Sequence, residues 1–105
     1  MGTDLWGHGH ISLRFGDWEA CCEVARLFGW RPEPHLDRGS PESCDYGISD
    51  PDARSLALAL YRAIRELESG REPTPDFRRC LRKVDGLSQI RKLADFAILS
   101  GFDVD

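Results

Sequence analysis

No apolar run in this chain approaches the roughly 20 residues that cross a bilayer. The longest, Leu56–Tyr61 and Phe96–Leu99, stop far short, so no transmembrane helix is expected. The opening Met1-Gly2-Thr3-Asp4-Leu5-Trp6 lacks the basic region and apolar stretch of a secretory signal. Trp6 also stands where a myristoylation motif after Gly2 needs Ser or Thr. Missing too are a glycine-rich phosphate loop, a nucleophile elbow, a two-histidine zinc helix and any Cys-x-x-Cys pair, which removes the common sequence arguments for an enzyme or a bound cofactor. The four cysteines, Cys21, Cys22, Cys44 and Cys80, do not have the spacing of a secreted disulfide framework. Reduced thiols are expected, with Cys21, Cys22 and Cys80 acting as small apolar residues. Lysine is scarce: twelve of the fourteen basic residues are arginine.

What is present is enough for one domain. The chain has 105 residues, 41% apolar and 30% charged, and ten are aromatic, a composition that can bury a core and is unlike that of disordered chains. Its net charge of −4 is unevenly spread. Residues 71–92 hold seven basic and three acidic side chains, whereas residues 1–70 hold seven and twelve. An acidic chain repels nucleic acid at long range, so any phosphate binding falls to the 71–92 segment.

Hydropathy patterning divides the chain into short strands and amphipathic helices. Ile11, Leu13 and Phe15 alternate with polar residues and predict a strand; Gly16 breaks it and Asp17 offers a helix cap. Trp18, Cys21, Cys22, Ala25 and Phe28 follow at helical spacing, and Gly29-Trp30 fits the C′ glycine and C″ hydrophobe of a Schellman ending. Pro32, Pro34, Gly39, Ser40 and Pro41 mark one long polar loop over 31–45. Tyr46-Gly47-Ile48 reads as a short strand. Ser49-Asp50-Pro51-Asp52 opens a helix whose stripe of Ala53, Leu56, Ala57, Leu60, Ile64 and Leu67 runs to Gly70. Thr74-Pro75 starts a third helix with Phe77, Cys80, Leu81 and Val84 on its apolar side; Ser88 caps a fourth. Gly101-Phe102 repeats the Schellman pattern, and Phe102-Asp103-Val104 supplies a last strand.

The expectation is therefore a single, helix-dominated α+β domain over 1–105. It has a small antiparallel sheet of two or three short strands (11–15, 46–48, 102–104) covered by about four helices at about 17–28, 50–69, 75–85 and 88–100. Trp18, Phe28, Leu60, Ile64, Leu93 and Ala97 are the expected core.

Three functional readings compete. His8 and His10, two apart, would share one face of a strand and present two imidazoles to a metal, with Cys44 or His35 needed to complete the site and the cysteines as a redox alternative. Arg78, Arg79, Arg82 and Lys83, extended by Arg71, Arg91 and Lys92, suggest phosphate binding, but no stacking aromatic is interleaved on that face. The favoured reading is a non-enzymatic protein-interaction module, such as an accessory subunit or an immunity-type inhibitor, with another protein as partner and no cofactor, nucleic acid or membrane. Its contacts are expected at Trp30 and Tyr46, at His35, Asp37 and Arg38 of the long loop, and at Arg78, Arg79 and Arg82, since aromatic and arginine side chains dominate binding hot spots.

The strand, the tryptophan-bearing helix ending in Gly29-Trp30, the proline-broken loop into Tyr46-Gly47-Ile48, the opener Ser49-Asp50-Pro51-Asp52-Ala53 and the terminal Ser100-Gly101-Phe102 together resemble small uncharacterised bacterial proteins. The resemblance implies a bacterial, cytoplasmic origin and carries no activity or site residues.

Overall fold

The computed structural model describes residues 2–31, 46–84 and 87–104. Within them the chain forms β1 (Gly2–Trp6), β2 (His10–Arg14), α1 (Phe15–Leu27), β3 (Tyr46–Ile48), α2 (Asp50–Glu68), α3 (Pro75–Lys83), α4 (Leu87–Ala97) and β4 (Phe102–Val104). The α+β class is as the patterning indicates, with one more strand. All strand pairs are antiparallel, in the order β2-β1-β4-β3. The additional strand, β1, is the inner one against which both β2 and β4 pair. A stretch with only Leu5 and Trp6 as large apolar residues gives little strand signal; pairing on both edges supplies what local propensity does not.

Register sorts the side chains between two faces. Thr3 lies opposite Leu13, Leu5 opposite Ile11, and Leu5 also opposite Val104, and these positions turn toward the helices. Trp6 lies opposite both His10 and Asp103, and these exposed residues with Ser12 turn away from the helices. β4 repeats the alternation, with Phe102 and Val104 buried and Asp103 exposed. At the sheet's β2 edge the Lys92 ammonium donates to the Ser12 carbonyl at 3.2 Å.

Helix starts follow the capping chemistry with two exceptions. Ser49 Oγ accepts from the Asp52 N–H and Thr74 Oγ1 from the Phe77 N–H, each with proline in the first turn. The strand expected over 11–15, however, ends at Arg14, and α1 begins at Phe15. Asp17 lies in its first turn, where it takes the Arg14 guanidinium (Nε···Oδ2 3.1 Å) instead of capping. Ser88 likewise falls inside α4, which begins at Leu87.

The end of α1 is the Schellman motif its sequence suggests. Gly29 has φ 100°, the Trp30 N–H reaches Ala25 O at 2.9 Å, and the Gly29 N–H reaches Arg26 O at 3.2 Å. Gly101 is different: it is not among the described positive-φ glycines, and α4 has already ended at Ala97. The reason for glycine there is close approach. A Cβ on Gly101 would drive into the Ile48 carbonyl oxygen and the Asp50 backbone nitrogen, and one on Gly7 would strike the Gly101 carbonyl.

The core lies between the sheet and the helices. α2 packs most extensively on α4 and also on α1, which in turn carries α3. Trp18, Leu60, Ile64, Leu93 and Ala97 are buried as expected, while Phe28 is half-buried, set edge-on to Phe77 at 5.1 Å. Trp18 and Phe96 both meet the Phe102 ring, at 6.0 and 5.4 Å, joining α1, α4 and β4. No described helix is long and apolar enough to cross a membrane.

Gly101→Ala should lose about 1–3 kcal/mol of stability, the usual cost of overpacking, since backbone atoms oppose the new methyl group. Gly9→Ala, with nothing within 4 Å of its Cβ, should melt as the wild type does. Thermal denaturation of the two variants compares them, and equal melting temperatures would remove the close-approach argument.

Candidate interaction surface

The sheet face turned away from the helices, which no described element covers, carries the exposed aromatic Trp6. Trp6, 51% exposed, stacks on His10 with ring centroids 4.0 Å apart and planes 23° from parallel. His10 Nε2 lies 3.1 Å from Asp4 Oδ1, and the Ser12 hydroxyl donates to the same oxygen at 2.5 Å. Each link follows from register. Trp6 and His10 are directly opposite, as are Asp4 and Ser12, and Asp4 and His10 are diagonal neighbours, within reach of long side chains. The hydrogen bonds from Ser12 and then His10 hold the Asp4 carboxyl below its ordinary 3.8. The Ser12 hydroxyl is engaged with Asp4 and not with the imidazole, so this trio is not ordered as nucleophile, base and orienting acid.

The expected contact residues separate on inspection. Trp30 is a correction: it is fully buried, with its Nε1–H donating to the Asp52 carbonyl at 3.1 Å. The Schellman turn that fits its sequence position folds the residue back onto α2, so its indole seals the interior and is not available to a partner. Tyr46 pairs through its backbone with Val104 at the start of β3. His35, Asp37 and Arg38 lie outside the described residues, as does Cys44. Arg78, Arg79 and Arg82 are exposed on α3, but their charge is largely answered locally. Arg78 pairs with Glu72 at 2.6 Å and Arg79 with Asp76 at 2.8 Å, and neighbouring Lys83 pairs with Glu23 at 3.6 Å.

The metal and redox readings lose their geometric premises. His8 is in the turn between β1 and β2, not on a strand beside His10. Among the described residues no three His, Cys, Asp or Glu side chains gather as a metal set. Cys21, Cys22 and Cys80 are all buried. Burial, with the Asp17 charge adding to it, pushes Cys21 up to about 12, and burial followed by a hydrogen bond to Glu23 raises Cys80. Thiolate is the reactive form, and both shifts disfavour it at Cys21 and Cys80.

Trp6 is the exposed aromatic that sequence reading passed over. A signal for it existed in the alternation of Thr3, Asp4, Leu5 and Trp6, which points Trp6 away from Leu5 once β1 is recognised as a strand. Comparison of the chain with known protein families, with curated proteins and with solved structures finds no match.

Two measurements follow from these groups. A thiol reagent should label Cys21, Cys22 and Cys80 far more slowly in the folded protein than in denaturant, and equal rates would show these sulfurs to be accessible. For Asp4 the folded pKa is depressed, so its contribution is complete above the unfolded carboxylate value and is lost as pH falls through the lower folded value. The melting-temperature gap between wild type and Asp4→Asn should accordingly be widest near neutral pH and close on acidification well below 3.8. A gap that persists in acid would assign it to something other than the carboxylate.

Proposed function

We propose that this protein is a non-enzymatic interaction module that binds another protein through the uncovered face of its sheet, with Trp6 as the anchor. The observation that carries the reading is the half-exposed indole stacked on His10, whose imidazole meets Asp4, itself accepting the Ser12 hydroxyl. Large exposed aromatics at the centre of a contact dominate binding energy, and an anchor already fixed loses less side-chain entropy when a partner covers it. Asp103, opposite Trp6 on β4, and Asp4 beside it supply hydrogen-bond acceptors at the rim. An accessory subunit or an inhibitor that blocks a partner enzyme both fit this use of a small domain. A nucleic-acid role is less well supported, because the α3 arginines that motivated it are engaged by Glu72 and Asp76.

The test is affinity capture from the native host followed by direct titration of the purified partner. Trp6→Ala should weaken binding about thirtyfold or more, the effect of losing a hot-spot side chain, while the α3 triple change Arg78→Glu, Arg79→Glu, Arg82→Glu leaves it nearly unchanged. A partner held equally well by folded Trp6→Ala would sink the proposal, and one lost by the α3 change would move the site to that helix.

A further inference from the structure

The arginines of α2 are placed differently from those of α3. Arg54, Arg62 and Arg65 are all exposed, and among the described residues none of them faces a carboxylate partner; Arg62 instead reaches the Phe28 carbonyl at 3.3 Å. With Leu58 they occupy positions i, i+4, i+8 and i+11 of a regular helix, which fall within an arc of about 80° over about 16 Å of its length. Leu58 sits in the middle of that stripe and is 48% exposed. Toward the end of α2 the stripe opens onto Phe28, where a hollow of about 390 Å³ lined by Phe28, Arg62 and Arg65 adjoins a second of about 510 Å³ that also includes Phe28 and Leu27.

On a chain of net charge −4, three guanidinium groups that make no ion pair among the described residues surround a solvent-facing leucine and form a locally positive face, with Asp50 and Glu66 at its margins. By contrast, Arg71, Arg78, Arg79 and Arg91 are each paired to a glutamate or aspartate, while Arg82 on α3 stands as a single exposed guanidinium without such a pair among the described residues. We propose that the solvent face of α2 is a second docking site, and that its occupant is an acidic amphipathic helix of a partner protein. Carboxylates spaced one to two turns apart meet Arg54, Arg62 and Arg65, and an apolar side chain between them covers Leu58. Guanidinium and carboxylate pair bidentately, so both charge and geometry favour carboxylates. Partner helices are read by such i, i+4, i+7 and i+8 patterns, and no stacking aromatic lies within the arginine stripe to receive unpaired bases. This inference rests on the reading of the protein as an interaction module, but not on the Trp6 site.

The probe is a fluorescein-labelled helical peptide in which leucine is flanked on both sides by glutamates at one- and two-turn spacing, titrated by fluorescence anisotropy. Wild-type protein should bind it with an affinity that falls as salt rises. The triple change Arg54→Glu, Arg62→Glu, Arg65→Glu should weaken binding about tenfold or more, since three exposed charge contacts become repulsive. The same variant should bind a matching peptide with lysine in place of glutamate, a rescue that an unfolded variant would not show. Leu58→Ala should weaken both pairings. Trp6→Ala should leave peptide binding intact, so a failure here is distinguishable from failure of the sheet-face site. Equal binding of a glutamine-for-glutamate peptide, or no binding of the acidic peptide at low salt, would overturn the proposal. So would displacement of the peptide by a DNA or RNA oligonucleotide whose own binding the triple change abolishes, which would assign the face to phosphate.

Discussion

The fold turns on one crowded junction of backbone. At Gly101 the chain entering β4 passes so close to the end of β3 and the start of α2 that no side chain fits, and the Asp50 carboxylate accepts its N–H at 2.5 Å. Gly7, leaving β1, is pressed against the same residue from its carbonyl side. Three of the four strands and the longest helix therefore meet at a point where each fixes the position of the others. The order β2-β1-β4-β3 places β4 between β1 and β3, paired to both. Once β1 is so placed, Leu5 is committed to the core and Trp6 to solvent.

Local chemistry was legible wherever a signal is confined to a few residues. Ser49 and Thr74 cap their helices, Gly29-Trp30 closes α1, and Tyr46–Ile48 and Phe102–Val104 are strands, all as their residue types suggest. Signals that depend on distant chain segments were not. β1 owes its existence to partners on both edges, and an Asp-containing pentapeptide next to a terminus has little to announce that. Gly101 has the sequence appearance of a helix stop, yet its reason for being glycine is Ile48 and Asp50, some fifty positions away. Trp30 is the most instructive case. Its place beside a polar loop suggests exposure, while its place two residues after the last turn of α1 dictates burial, and the second constraint prevails because the Schellman turn aims the chain inward before the loop begins.

The candidate site was legible in kind more than in position. Aromatic and arginine side chains remain the features on which a binding reading stands, but the indole is Trp6 in place of Trp30, and among the described residues most of the α3 basic side chains are paired while Arg54, Arg62 and Arg65 of α2 are not. Counting charges along the chain could not separate the two helices, since α3 and its flanks hold the denser basic cluster. Pairing separates them: α3 draws Glu72, Asp76 and, through Lys83, Glu23 around itself, whereas among the described residues Arg54, Arg62 and Arg65 of α2 make no ion pair, although Asp50 and Glu66 lie at the margins of that face. The two faces thus differ in character, with carboxylates near the indole on the sheet and guanidinium groups around a leucine on the helix.

The Lys92 contact at the sheet edge bears on how this protein behaves when crowded with copies of itself. An open strand edge is a template on which another chain can add, and runaway addition is the route to fibres. Here the ammonium group on α4 occupies the Ser12 carbonyl of β2, so an incoming strand would have to displace a charge before its first hydrogen bond there. The opposite edge, β3, is only three residues long and offers little length for a foreign strand to register. The two directions in which a sheet polymerises are thus obstructed, one by a charge and the other by shortness.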